Sequence, residues 1–170
     1  VGKMKLPLSF SENQKGDNPH DRMPAEKSAA ILRAHVEDGI RLADKHGLPG
    51  IVTTAISEHH VDNLMEGFFG KARTAAEADA VVDEKLFRYQ GRPPQTRESA
   101  LVMLADQIEA ASRSLTQPTR ENLTSLVDAL VNRAIADDTL SECDLSLREL
   151  GRAREALSRA LLRLHRQETA

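Results

Sequence analysis

Apolar side chains recur every three to four positions along most of the chain after Pro24, which is the spacing of one buried face on an α-helix. Gly47 and Pro49 interrupt the first of these patterns, and capping sequences open two later ones, TREN at Thr119 and SLRE at Ser146. The patterns predict helices over residues 24–46, 49–60, 62–74, 96–115, 119–137 and 146–166.

Two stretches lack this periodicity. Residues 1–23 are rich in Gly, Pro, Asn and Asp and carry the turn signal KGDNP, so we expect a long ordered loop. Residues 75–95 form an acidic and then proline-rich crossing that contains the turn-like QGRPP. Valine-rich alternation is absent, so the fold is predicted to be all-α, with residues 24–170 helical and all 170 residues in one domain.

Composition and charge narrow the classes of function. The 23 basic and 26 acidic residues nearly balance, which leaves no large positive field for a nucleic-acid polymer. Cys143 is the only cysteine, so a disulfide or a cysteine-rich zinc site within the chain is excluded, and a reducing compartment fits best. No apolar run reaches the roughly eighteen residues that span a bilayer. Because Val1 is an unusual first residue, we expect further sequence upstream.

Three of the six histidines are candidate metal ligands. His35 follows Ile31 and Leu32 by one helical turn, so its ring is expected at the buried side, where a hydrogen-bonded core histidine is the alternative. His59 and His60 are adjacent at a predicted helix end, where the backbone can turn and let both side chains converge. Neutral imidazole is a preferred ligand of zinc, iron and similar ions, although a solvated helix terminus explains the pair equally well.

Asp106 offers the hard oxygen ligand that such a site would need. It follows Val102 and Met103 by about one turn, so its carboxylate is placed against apolar neighbours and requires a cationic partner. Arg113 lies about 10 Å further along the helix axis, too far for an ordinary direct pair. Glu109 and Arg113 are instead expected to pair with each other on the surface.

The other histidines are weaker candidates. His20 and Asp21, in the sequence NPHD, lie in the predicted loop, where an Asx-type turn or cap explains them as well as metal binding does. His46 and His165 lie near helix ends beside Lys or Arg, so both are expected to be exposed.

Several longer motifs, taken together, carry a family resemblance. They are VGKMKLPLSFSENQ, NPHDRMP, SAAILRAHVEDGIRLADKHGLP, SEHH, RYQGRPPQTRESALVMLADQIEAASRSL and LSECDLSLREL. In this order and spacing they make nearly the whole chain similar to the cytoplasmic HD domain of the seven-transmembrane HD-domain phosphodiesterases. The resemblance implies an all-α HD-superfamily domain, here lacking its N-terminal helices. It also implies a cytoplasmic location, next to the upstream transmembrane region of a bacterial multi-pass inner-membrane protein.

The same resemblance implies a metal-dependent phosphodiesterase. Characterised members hydrolyse cyclic di-AMP to a linear dinucleotide at a centre of two divalent metal ions, for which iron, manganese and zinc are the candidates. His35, His59, His60 and Asp106 occupy four of the family's ligand positions, and Asp106 is also assigned a catalytic part. The His-Asp doublet that names the superfamily would precede Val1. The chain alone is therefore expected to hold one ion or none and to be inactive.

Three residues are predicted to bind or face the substrate: Lys3, Asp62 and Arg113. Lys3 follows the family's doublet closely and is expected to neutralise a phosphate, with a catalytic part as well. Where the family commonly has HHGT, this chain has HHVD, so the carboxylate of Asp62 is expected to repel an anionic substrate.

Two alternatives to this function stay open, and one expectation concerns assembly. The first alternative is an HD-fold hydrolase of another nucleotide, such as a guanosine alarmone or a nucleoside monophosphate. The second is a catalytically inactive nucleotide-sensing domain, which Asp62 in place of the family's threonine would support. The apolar face that contains Leu32, and the apolar stripe of Leu101, Leu104 and Ile108 on the fourth predicted helix, would lack part of their cover without the preceding helices, so self-association is expected.

Overall fold

The computed structural model of the protein describes residues 2–10, 18–77 and 80–168. Within them the chain forms six α-helices: α1 (Ala25–Lys45), α2 (Gly50–Glu58), α3 (Glu66–Ala75), α4 (Arg97–Ser112), α5 (Arg120–Ala136) and α6 (Leu147–Glu168). No strand forms in this described part, and the all-α prediction is confirmed. Five of the six helices begin and end within about three residues of the predicted positions.

Contacts within the chain divide it into two compact units, residues 1–92 and 93–170. In the first unit, α1 packs against α2 and α3. The apolar core of this unit is formed by five buried residues, namely Ala25, Ala29, Met65, Ala72 and Phe87. The assignment of all 170 residues to one domain stays a prediction.

The predicted loop at the start of the chain contains short 3₁₀ turns. They span Gly2–Lys5, Pro7–Ser9 and Pro19–Arg22. Proline at the first position suits the second and third turns, because its φ is already fixed near the helical value. The turn signal KGDNP covers residues 15–19, of which 15–17 lie outside the described residues.

α3 begins at Glu66, four residues later than predicted. Residues 61–65 do not join the helix, because their backbone pairs in antiparallel fashion with residues 87–91. We call these two paired segments the ribbon. A further 3₁₀ turn, Glu84–Phe87, leads into the ribbon from the predicted crossing. The ribbon thereby joins the residues after α2 to the crossing.

In the second unit, α4, α5 and α6 pack against one another. The side chain of Thr96 caps α4 by accepting from the backbone N–H of Ser99, and the two residues form a reciprocal capping box. Thr119 caps α5 in the same way by accepting from the N–H of Asn122. The capping sequence predicted at TREN is therefore confirmed.

The buried face of α4 differs in part from the predicted stripe. Leu104 and Ile108 are buried as predicted, but Leu101 is 38% exposed and Met103, outside the stripe, is fully buried. The helix carries apolar residues on two faces, since Leu101 lines a groove against α6 while Met103 and Leu104 are enclosed. Periodicity alone does not distinguish two apolar faces of one helix.

The α4–α6 groove is lined mainly by aliphatic side chains, and charged residues such as Asp106 and Arg152 also contribute to its walls. It contains two adjoining cavities of about 670 Å³ and about 530 Å³. Val102, Ala105 and Leu157 line both of them. Since Val102 is 45% exposed, part of this apolar surface faces solvent in the single chain.

Two expectations from composition concern membranes and cysteine chemistry. None of the helices in the described part of the chain combines the length and the apolarity that crossing a bilayer requires. The Cys143 thiol is buried, burial raises its pKa, and it donates a hydrogen bond to the Leu140 carbonyl. A thiol of this kind is a packing group rather than a nucleophile.

Candidate metal centre

Three histidine side chains converge in the first unit. His35 lies in the middle of α1, where it is 6% exposed. His59 and His60 follow Glu58, the last residue of α2. One ligand nitrogen from each ring lies within 4.8 Å of those of the other two, and no other cluster of metal-binding side chains meets this closely in the described part of the chain. We call these three residues the histidine centre.

The end of α2 explains how two adjacent histidines can face one point. His59 keeps a helical backbone, and Val61 then adopts a left-handed conformation with φ of +52°. The chain therefore leaves the helical path directly after the histidine pair, and the two ring centroids lie 3.9 Å apart. In a continuing helix the two side chains would point about 100° apart.

Backbone carbonyl groups fix the tautomers of two rings. The Nδ1–H of His35 donates to the carbonyl of Leu32, and the Nδ1–H of His59 donates to that of Ile56 at 2.8 Å. Each neutral ring then carries a lone pair on Nε2. The two Nε2 atoms face each other at 3.2 Å. Because two lone pairs repel at this distance, the arrangement favours a proton or a metal cation between them.

The spacing of these nitrogens fits a divalent metal ion. Zinc–imidazole bonds are roughly 2.0–2.1 Å long, so two nitrogens on one ion lie roughly 2.8–3.4 Å apart for octahedral to tetrahedral angles. The observed separation between the Nε2 atoms of His35 and His59 falls in this range. His60 belongs to the same close group, so three ring nitrogens are available to one ion.

Burial keeps the candidate ligands in their metal-binding form. It lowers the pKa of His35 to about 4, against the opposing effect of the hydrogen bond to Leu32. It also lowers the pKa of His60 to about 2, with the charges of His59 and His35 as further causes. At neutral pH both rings are therefore deprotonated, as metal ligation requires.

Two aromatic residues pack against the histidine centre. The ring of Tyr89 stacks on His60, with centroids 4.1 Å apart and an interplanar angle of 23°. Phe10 meets His35 edge-on at 5.4 Å. Sequence reasoning identified neither residue as part of the site. The signal that was present is the rarity of aromatic side chains, since Tyr89 is the only tyrosine in the chain.

Lys3 lies close enough to the histidine centre to act on it electrostatically. Its ammonium group lowers the pKa of both His35 and His60, as a smaller cause than burial. Its Nζ lies 5.6 Å from the centroid of the Phe10 ring. A positive charge here suits an anionic substrate. The contact between Lys3 and a phosphate stays a prediction.

Asp62 follows the histidine pair, and its side chain is 69% exposed. Its carboxylate lies 4.0 Å from Nη1 of Arg88, which also donates to the Asp62 carbonyl at 3.0 Å. Solvent and this guanidinium group both weaken the field of the carboxylate at any substrate. Repulsion of the substrate by Asp62 stays a prediction, and the structure gives a reason to expect a small effect.

Two further predicted site residues, Asp106 and Arg113, belong to the second unit. Asp106 lies on α4, half-buried beside apolar residues of the α4–α6 groove. Arg113 directly follows α4 as its C-cap and donates through Nε to the carboxylate of Glu109 at 2.7 Å, so the predicted surface pair forms. The assignment of Asp106 to a metal ion and of Arg113 to the substrate stays a prediction.

The NPHD segment has a structural explanation. The side-chain oxygen of Asn18 accepts from the backbone N–H of His20 at 3.0 Å, which is the cap that sequence reasoning gave as the alternative to a ligand. The His20 ring is buried, and its Nε2–H donates to the Ser9 carbonyl at 2.8 Å. Asp21 is exposed. These contacts connect the 3₁₀ turn of residues 19–22 to the segment that carries Lys3 and Phe10.

The last two histidines differ in exposure. His46 is exposed at the end of α1, as predicted. His165 is half-buried on α6, and its Nε2 forms a hydrogen bond of 3.0 Å with the hydroxyl of Ser112. The predicted exposure of His165 is therefore wrong. The periodicity placed it near a helix end, but α6 continues to Glu168 and packs against α4.

Relatives with known names match most of the chain. The HD domain family profile matches residues 2–111, which include the histidine centre and Asp106. The cyclic-di-AMP phosphodiesterase PgpH of Listeria monocytogenes serotype 1/2a (strain 10403S) is 34% identical over 168 residues, which are 98% of this chain and 23% of that protein. The cyclic-di-AMP phosphodiesterase PgpH of Bacillus subtilis (strain 168) is 36% identical over 151 residues, 88% of this chain and 21% of that protein. The chain thus spans less than a quarter of the length of these curated relatives.

Two solved structures resemble the chain over almost its whole length. The crystal structure of the L. monocytogenes phosphodiesterase PgpH HD domain matches with a TM-score of 0.84 and 33% identity, over 96% of this chain and 76% of that chain. The crystal structure of the same domain in complex with cyclic-di-AMP matches with a TM-score of 0.84 and 34% identity, over 96% of this chain and 75% of that chain.

Proposed function

Because this chain belongs to the HD domain family, as its motifs predicted, we propose that it forms part of a metal-dependent phosphodiesterase that hydrolyses cyclic di-AMP to a linear dinucleotide. The observation that carries the proposal is the convergence of His35, His59 and His60 with two unprotonated Nε2 atoms 3.2 Å apart. Two curated relatives are named cyclic-di-AMP phosphodiesterases, and one similar solved domain contains that nucleotide.

The histidine centre is assigned to one divalent ion: iron, manganese or zinc. Asp106 and the His-Asp doublet that the family resemblance places before Val1 are the further ligands of a two-metal centre. The chain alone accordingly holds one ion or none and is inactive. When bound, divalent ions of this type polarise a phosphodiester and make a nearby water more acidic.

The residues of this chain contribute distinct parts of the reaction. Burial keeps His35 and His60 neutral, so their nitrogens are available at physiological pH. Lys3 places an ammonium charge beside the centre for a non-bridging phosphate oxygen. The Asp106 carboxylate offsets positive charge and orients the attacking water.

The cellular setting is proposed on the same family resemblance. The domain is assigned to the cytoplasmic side of a bacterial multi-pass inner-membrane protein, with the upstream transmembrane region of that protein as its neighbour. Cyclic di-AMP is the assigned small-molecule partner, and no nucleic-acid polymer is assigned, in line with the balanced charge of the chain.

The direct test compares this chain with a longer polypeptide in which the family's upstream segment, including the His-Asp doublet, precedes Val1. Both are loaded with Mn²⁺, Fe²⁺ or Zn²⁺ and incubated with cyclic di-AMP, and the products are separated by chromatography. The longer polypeptide is expected to release linear pApA in a metal-dependent manner. In it, His60→Ala abolishes turnover and His165→Ala leaves turnover nearly unchanged.

Two results would replace the proposal with another function. If the metal-loaded longer polypeptide binds cyclic di-AMP without cleaving it, the domain is a nucleotide sensor. If it cleaves a guanosine alarmone or a nucleoside monophosphate faster than cyclic di-AMP in side-by-side assays, the domain is a hydrolase of that nucleotide.

A further inference from the structure

We propose that residues 87–92 act as a positioning strap that holds the His59–His60 pair in its metal-binding geometry, with Gly91 and Arg92 as the positioning residues. This inference rests on the proposed metal site. It concerns residues that are not metal ligands themselves. Sequence reasoning treated this segment as a turn-like crossing.

The strap is held to the turn after α2 by backbone pairing in one register. Successive backbone hydrogen bonds join Met65 N–H to Phe87 at 2.8 Å, Tyr89 N–H to Asn63 at 3.1 Å and Gly91 N–H to Val61 at 2.7 Å. The bridge between Leu64 and Arg88 belongs to the same register. The strap therefore follows the chain back as far as the residue next to His60.

Gly91 is the point at which the strap comes closest to the histidine pair. A Cβ at this position would overlap the carbonyl oxygen of Val61 and lie 2.9 Å from that of Ser57. Both contacts are backbone atoms, which cannot move aside as a flexible side chain does. Any larger residue must therefore displace the turn between Ser57 and Val61, which carries both histidines.

Arg92 holds the same turn from its other end. Its Nε donates to Oε1 of Glu58 at 3.0 Å, and the Glu58 side chain is fully buried. A buried carboxylate requires a cationic or hydrogen-bonding partner to stay in place. Glu58 directly precedes His59, so the histidine pair is fixed by Arg92 before it and by Gly91 after it.

The backbone of Val61 shows why such support is needed. Its φ of +52° is unfavourable for a β-branched residue. Strained conformations of this kind persist only where neighbouring contacts determine them. At Val61 two contacts hold the backbone in this conformation. They are the hydrogen bond from Gly91 and the packing around the Val61 side chain, which is 5% exposed.

Cobalt binding tests the strap without relying on activity. Co²⁺ is titrated into the chain, and the ligand-field absorption reports both affinity and coordination geometry. The strap variants are Gly91→Ala and Arg92→Met. Gly151→Ala and Arg148→Met are the matched controls, because a Cβ at Gly151 meets nothing within 4 Å and Arg148 is exposed on α6.

Partners that orient metal ligands typically change metal affinity by about 10- to 100-fold. Gly91→Ala and Arg92→Met are therefore expected to weaken Co²⁺ binding at least about tenfold and to alter the absorption spectrum. Arg92→Lys, which keeps the charge, is expected to recover part of the lost affinity. Both controls are expected to bind like the unaltered chain.

Three outcomes decide between the possibilities. If the unaltered chain gives no ligand-field spectrum, the titration and all variants are repeated in the longer polypeptide of the functional test, and no spectrum there refutes the metal site and the strap with it. If the unaltered chain binds Co²⁺ and both strap variants bind with the same affinity and spectrum, the strap alone is refuted. Should Gly91→Ala fail to fold by circular dichroism, the comparison of Arg92→Met with Arg92→Lys decides the result.

Discussion

Two concave regions of the molecule, one in each unit, differ in what they offer to a ligand. The cavity beside His60 and Tyr89 has a volume of about 260 Å³, and its walls include Arg33, Glu37 and Ser57. The α4–α6 groove contains cavities of about 670 Å³ and about 530 Å³, which are lined mainly by aliphatic side chains. The α4–α6 groove offers apolar surface for packing, whereas the cavity beside His60 offers polar and ionisable groups that can bind and polarise a ligand.

The difference shows that volume is a poor guide to chemistry in this protein. In the first unit, backbone carbonyls select the tautomers of His35 and His59, and burial keeps the rings of His35 and His60 neutral. The α4–α6 groove is lined mainly by aliphatic side chains, which bury area but cannot ligate an ion, and among its lining residues only Asp106 is a predicted metal ligand.

The largest expected effect is a loss of stability in acid that arises from the histidine centre and not from the α4–α6 groove. The pKa values of His35 and His60 lie below their ordinary value of 6.5, so the unfolded chain takes up protons that the folded chain excludes. The contribution of these rings to the free energy of unfolding is therefore fully present above pH 6.5. It falls as the pH drops from 6.5 towards 4, by up to about 1.4 kcal/mol per pH unit for each ring.

Urea unfolding at pH 7, 5.5 and 4.5 measures this acid effect. His35→Gln should flatten the dependence, whereas Leu157→Ala in the α4–α6 groove should lower stability by a similar amount at every pH. Equal slopes for the unaltered chain and His35→Gln would contradict the assignment of this effect to the histidine centre.

Removal of a ligand is expected to have the next largest effect. His59→Ala deletes one of the two facing Nε2 atoms and should weaken Zn²⁺ or Co²⁺ binding by about 100-fold, which is about 2.7 kcal/mol. Leu157→Ala should leave metal affinity within about twofold. Calorimetric titration of the metal into each variant makes the measurement, and unchanged affinity in His59→Ala would remove His59 from the site.

The α4–α6 groove is expected to govern self-association. Val102 is 45% exposed on its rim, and contiguous apolar surface of this kind favours contact between copies. Val102→Asp should weaken association by about tenfold while changing stability by no more than about 0.5 kcal/mol. Sedimentation velocity over a wide concentration range gives the constant, and a monomer at every concentration would show that the groove does not drive assembly.

The smallest effect is expected at Asp62. Exposed ion pairs contribute about 0–1 kcal/mol, so Asp62→Thr in the longer polypeptide should lower the KM for cyclic di-AMP by no more than about fivefold, with metal content unchanged. Steady-state kinetics with metal analysis provides the measurement. A larger fall in KM would show that the carboxylate faces the substrate rather than Arg88, and no change would leave Asp62 as surface variation.

Local sequence patterns predicted the helices well because each helix depends on its own periodicity and caps. The convergence of His59 and His60 could also be predicted, because a helix end is where two adjacent side chains can converge. The position of His35 at the buried side followed from Ile31 and Leu32 one turn earlier. Each of these predictions depends only on residues that lie within about one helical turn of each other.

The ribbon could not be predicted in the same way, because its partners lie about 26 residues apart and no alternating pattern marks them. Gly91 was visible only as part of a turn signal, although its lack of a Cβ serves a close backbone approach. α3 starts later than predicted because residues 61–65 pair with residues 87–91 instead of joining the helix. For α4 the sequence offered two apolar faces, and only packing shows that Met103 is enclosed while Leu101 is not.

The register of the ribbon also limits how the length of the chain can vary. Paired segments turn successive side chains to opposite faces, so one extra residue between Phe87 and Gly91 would rotate Tyr89 away from His60. The same insertion would put a side chain where the Val61 carbonyl leaves room only for glycine. Val81, before the ribbon, is 96% exposed and has no such constraint. Insertions and deletions among relatives should therefore gather near residue 81 and be absent from residues 87–91.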